Sequence, residues 1–120
     1  MATINLITVV ETSEFLNATR KLITDEDRTA LVDHVAHNPL AGVVIPGTGG
    51  IRKLRWGLEG RGKRGGARVI YFFHDSEMPL FLLTAYAKNE HDDLNRADYA
   101  AFQQLTRMLV DSYRIRRPKP

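Results

Sequence analysis

The chain has 120 residues, 43% of them hydrophobic, with a formal net charge of +3 and a sequence pI near 9.4, enough for one domain around one core and too little for two. It has no cysteine, which excludes disulfides, thiolate metal sites and a thiol nucleophile. No segment reaches the roughly 20 apolar residues of a membrane-spanning helix, and Met1 to Val10 lacks the positive start and small-residue cleavage site of a secretion signal, so a soluble cytoplasmic protein with no membrane partner is expected.

Ile4-Asn-Leu-Ile-Thr-Val-Val10 is dense in β-branched residues, which suit a pleated surface, and predicts a first strand. Thr12 or Ser13 can cap a short helix whose apolar stripe is Phe15, Leu16, Thr19 and Leu22. Thr24 opens a second helix, with Asp25, Glu26 and Asp27 at the positive end of its dipole. Leu31, Val32, Val35 and Ala36 supply its buried face, and Asn38-Pro39 ends it because proline disfavours helical geometry in the residue before it. An antiparallel helical hairpin is predicted. Val43 to Gly50 reads as a turn-rich connection.

From Ile51 to Leu58, Leu54, Trp56 and Leu58 alternate with Lys53, Arg55 and Gly57. Period-2 alternation predicts a strand with one packed face and one cationic face. Gly60 to Gly66 is a flexible tip, and Ala67 to Phe73, apolar on both faces, is a central strand entered by Arg68. Asp75 to Pro79 turns the chain into a third strand, Leu80 to Tyr86. Asn95 caps a final helix with Tyr99, Phe102, Leu105, Leu109 and Tyr113 at helical spacing. Arg114 to Pro120 reads as a flexible basic tail. The predicted class is α+β, one domain over residues 1–120: an N-terminal strand, a two-helix hairpin, a three- to four-stranded antiparallel sheet and a C-terminal helix.

The charge is concentrated. Between Arg52 and Arg68 seven Lys or Arg face one acid, Glu59, a local net of +6, so the rest of the chain sums to −3. A cationic patch on a mildly acidic body suits a phosphate-rich polyanion, because each cation near a phosphate releases condensed counterions. Gly60-Arg-Gly-Lys-Arg-Gly65 matches a dinucleotide-binding glycine pattern, but that pattern needs a helix immediately after it and here a strand follows. His34 and His37 lie one turn apart without an obvious third ligand, so they read as surface or capping histidines, and neither a metal nor a cofactor is expected. Tyr86-Ala-Lys-Asn-Glu-His-Asp-Asp-Leu94 offers a phenol, an ammonium and an imidazole where the chain leaves the sheet. These groups can bind a phosphate and exchange protons, or merely form a polar loop that prepares a helix start.

Three blocks together, Gly47 to Trp56, Gly62 to Tyr71 and Leu83 to Leu94, resemble the HigB branch of the RelE/ParE toxin superfamily, in a chain whose predicted element order also fits. The resemblance implies a type II toxin acting as a metal-free, ribosome-dependent mRNA endonuclease that inhibits translation. Its partners would be mRNA in the ribosomal A site, ribosomal RNA and a cognate antitoxin, often one with a helix-turn-helix domain. By the same resemblance Arg68 contacts the scissile phosphate, Lys53 and Arg55 line the site, and Lys88 occupies the basic position of the Tyr-x-Lys-x-Glu segment. Asn89 and His91 depart from RelE, which has an arginine and a nearby tyrosine there, so the general base is left open among Tyr86, His91 and, more weakly, Tyr99. Arg52, Arg61, Lys63 and Arg64 are candidate RNA or ribosome contacts. Two rival readings stay open: a ParE-like inhibitor of DNA gyrase, and a non-catalytic nucleic-acid-binding module.

Overall fold

The computed structural model describes residues 6–57, 66–88 and 95–116, with side chains to Arg114. The elements run β1 (Val9–Glu11), α1 (Ser13–Thr19), α2 (Asp25–His37), β2 (Val43–Val44), β3 (Ile51–Trp56), β4 (Ala67–Phe72), β5 (Leu80–Ala87) and α3 (Arg96–Arg116). The five strands form one sheet in the order β1-β5-β4-β3-β2. β1 pairs parallel to β5, and every other pairing is antiparallel. The α+β class and its element order match the expectation. One addition comes from Val43–Val44, read in the sequence as connection, which pairs with Arg52 and Lys53 as a fifth strand. Two residues are too few for periodicity to reveal.

Local chemistry fixes each helix start. Thr12 accepts from the Phe15 amide at 3.1 Å and donates to the Leu82 carbonyl at 2.8 Å, so one hydroxyl both caps α1 and pins it to β5. Thr24 accepts from the Asp27 amide at 3.0 Å and caps α2. Asn95 and Asp98 cap α3 reciprocally, each side chain accepting from the other's amide. That last helix runs through Arg116, so the first three residues of the expected tail are helical; residues 117–120 lie outside the described residues, as does the tip at 58–65.

Both faces of the sheet are covered. Phe15, Leu31 and Val35 of the first two helices pack on Leu54, Val69, Tyr71, Leu80, Leu82 and Ala85. On the other face Phe102, Leu105, Leu109 and Tyr113 of α3 pack on Ile51, Ile70, Phe72, Phe81 and Leu83. This corrects the expectation of one packed and one cationic face on β3. Ile51 shares the Lys53 and Arg55 face and is fully buried, whereas Arg52 shares the face of Leu54 and Trp56. The cations occupy only the far end of a face that α3 otherwise seals.

Two devices hold the β2–β3 corner. Gly47, Gly49 and Gly50 adopt φ of 78°, 79° and 109°, a region open to glycine and strained for other residues. Between them Thr48, fully buried, donates to the Ile45 carbonyl at 2.6 Å and accepts from the Ile51 amide at 3.1 Å. A Cβ on Gly49 would stand 2.7 Å from Thr106 Oγ1, so the same turn seats α3. Beside it, the buried Tyr71 hydroxyl accepts from the Gly42 amide and donates to the Pro39 carbonyl, each at 2.8 Å.

Replacing Tyr71 with Phe leaves that amide and carbonyl without partners and should destabilise the fold by about 1–3 kcal/mol, measured by urea unfolding at pH 8. Burial pushes the Tyr71 phenol above its ordinary value. Its contribution is therefore present below pH about 10 and lost as pH rises through the folded value, so the gap between wild type and Tyr71→Phe should narrow at pH 11.

Candidate functional site

The β3–β4–β5 register decides which cations meet. Arg55 pairs with Arg68, and Arg68 pairs with Tyr86, so one row across three strands carries two guanidiniums and a phenol on a single face. The next row inward pairs Lys53 with Ile70 and Ile70 with Thr84, which sets the Lys53 ammonium on the same face. Between Ile70 and Tyr71 the β4–β5 register slips, leaving Leu83 as the extra residue of a bulge. The bulge is what lets both Leu83 and Tyr86 join the α3 side of the core. Lys88 follows at the exposed end of β5, its amide donating to the Gly66 carbonyl at 3.4 Å.

Like charges directly opposite one another across an antiparallel pair repel. Neither Arg55 nor Arg68 has a carboxylate partner among the described residues. Arg55 is exposed, Arg68 half-buried and Tyr86 only 6% exposed. The row thus grades from solvent into the core, with no carboxylate among the described residues beside its cations at the wet end. An anion bound there would relieve the repulsion, and a guanidinium fork matches phosphate geometry.

A pocket of about 320 Å³ opens past the last strand pair, lined by Arg55, Trp56, Gly57, Gly66 and Arg68. Trp56 closes β3 opposite Ala67 and stands 5.4 Å from the His34 ring of α2. The sequence reading counted Trp56 only as part of a packed face. The signal that could have singled it out is its place next to Arg55 and just before the glycine that ends the strand.

The remaining candidates lie elsewhere. Arg52 is turned to the opposite face, where it donates to the Gly42 carbonyl at 2.7 Å and braces the β2 corner. Tyr99, half-buried on α3, packs against the core cluster that holds Tyr86. His37 sits 2.8 Å from the Asp33 carbonyl at the end of α2, and among the described residues no group of three His, Asp or Glu side chains could hold a metal ion. His91, Arg61, Lys63 and Arg64 lie outside the described residues.

Residues 8–114 match the family model described as the RelE toxin of the RelE/RelB toxin-antitoxin system. Among solved structures, an arginine-to-alanine double mutant of E. coli RelE in the free state is similar with a TM-score of 0.52 and 17% sequence identity, covering 72% of this chain and 88% of that one. At that identity the likeness speaks to the fold. No helix among the described residues is long and apolar enough to cross a membrane.

If Arg55 and Arg68 repel across the ladder, Arg55→Ala should stabilise the protein in 20 mM salt by a few tenths to about 1 kcal/mol. The gain should shrink in 500 mM salt, where a Debye length of roughly 4 Å screens the pair. Urea titrations at the two salt concentrations measure both.

Proposed function

The chain belongs to the RelE toxin family, and from that premise we propose that it arrests translation by cutting mRNA on the ribosome, without a metal ion. The observation that carries the reading is the Arg55–Arg68–Tyr86 row with Lys53 behind it. Cleavage of RNA by its own 2′-hydroxyl forms a bond from the 2′-oxygen to phosphorus and breaks the bond from phosphorus to the 5′-oxygen. The 2′-proton must leave, negative charge builds on the phosphorane, and the departing 5′-oxygen needs a proton.

Arg68, central in the row, and Arg55 beside it neutralise the phosphorane. Fixed cations at that point act mainly on the transition state, where the charge is greatest. Lys53 and Lys88 extend the field along the RNA backbone. Tyr86, next to Arg68 in register, and His91, an imidazole and so of the side-chain type that exchanges protons near neutral pH, are the two proton-transfer candidates. A RelE-type toxin is held silent by an antitoxin, and the ribosome presents the mRNA strand.

Arg68→Ala should lower single-turnover cleavage of ribosome-bound mRNA by about 10²–10³-fold, the loss typical of one preorganised transition-state donor, while antitoxin binding is retained. Primer extension on ribosome-bound transcripts reads the cuts, and a pull-down reads the antitoxin. Cleavage undiminished in the variant contradicts the assignment. An intact wild-type transcript together with inhibited DNA supercoiling would favour the gyrase reading instead.

A further inference from the structure

We propose that the pocket beyond the Trp56–Ala67 pair is a nucleobase slot, in which Trp56 stacks on the base of a nucleotide bordering the cut while Arg55 and Arg68 hold the adjoining phosphate. The inference rests on the RNA-cleavage reading and deepens it, by naming what binds beside the scissile phosphate.

The lining has the chemistry of a nucleotide site. Among the described residues it joins one indole, two guanidiniums and two glycines in about 320 Å³, with no carboxylate. That volume lies at the small end for ligand pockets, on the scale of one small planar ligand. A flat aromatic wall accepts any base, because every base has a π-face. Gly57 adds no side chain to the lining, and a Cβ built there meets no described atom within 4 Å. The indole is one strand position from the Arg55–Arg68 pair and therefore leaves the opposite face of the sheet. Indole and guanidiniums come together only around the end of the ladder, where all three residues line the same pocket, and a nucleotide seated there can meet them from the two faces.

A tryptophan serving only the core would be buried like its neighbours. On the same face of the sheet Leu54 is 9% and Val69 1% exposed, whereas Trp56 is only half-buried, and it faces the pocket. His34 of α2, 5.4 Å away and tilted by 46°, backs the ring from the helix side. The ring is thus braced by the fold and still presented at the opening. It is also the only tryptophan of the chain.

The test is single-turnover cleavage of ribosome-bound mRNAs carrying an abasic nucleotide on the 5′ or the 3′ side of the cut, one at a time. Wild type, Trp56→Phe and Trp56→Leu are compared, each checked for folding by thermal melting. One abasic position should reduce wild-type kcat/KM by about 5- to 150-fold, the range one base–aromatic stack supplies. Trp56→Phe should keep that penalty, and Trp56→Leu should shrink it to less than about two-fold, because the stack is already gone. A penalty equally large in Trp56→Leu overturns the proposal. So does a wild type indifferent to both abasic positions, an outcome that needs no variant to fold. Failure of the wild type to cut intact ribosome-bound mRNA defeats the cleavage reading itself, and is recognised before any abasic message is used.

Discussion

Two guanidiniums held side by side on one face of a β-sheet repel, and the backbone ladder keeps them there. Arg55 and Arg68 are directly opposed across β3 and β4, in a register that cannot slip by one residue without turning one strand's buried side chains, Ile51 and Leu54 or Ile70 and Phe72, to the opposite face and out of the packing they now fill. The hydrophobic effect on both faces of the sheet therefore enforces an electrostatic arrangement that the charges alone would disperse. A preorganised cation pair, without a carboxylate partner among the described residues, is what a phosphodiester passing through a doubly charged state requires.

The rest of the molecule keeps that row fixed. α3 seals the α3-side face up to Tyr86, so the row ends in the core at one side and in water at the other. The glycine turn around Thr48 starts β3 in the right phase, and the Tyr71 hydroxyl ties the preceding segment to the middle of β4. Thr12 binds α1 to β5, the strand that carries Tyr86. Each is a small polar group satisfied within a tightly packed site, where a shift of one residue would leave buried donors and acceptors unpaired.

Much of this was legible in the chain. Helix starts at Thr12 or Ser13, at Thr24 and at Asn95 follow from residues that compete well for free amides, and the structure uses Thr12, Thr24 and Asn95 as caps. The strand that carries Arg55 follows from period-2 alternation, and those that carry Arg68 and Tyr86 from apolar runs of strand length. What the pattern could not give was the face of each cation. Ile51 and Arg52 break the alternation, and only the pairing partner decides that Arg52 braces the β2 corner while Arg55 joins the row. The bulge at Leu83 is equally silent in the sequence, since an extra residue changes register without changing composition. Trp56 looked like core because aromatic residues in strands usually are; its half-exposed position depends on where the paired ladder stops.

The central claim is that Arg55 and Arg68 act together on one phosphate. A double-mutant cycle in single-turnover cleavage of ribosome-bound mRNA tests it, with Arg55→Ala, Arg68→Ala and the pair compared with wild type. Joint action predicts that the double variant is no more than about ten-fold slower than the worse single variant, because each loss already disables the shared step. Losses that multiply in full would show the two arginines working on separate groups and would contradict the account.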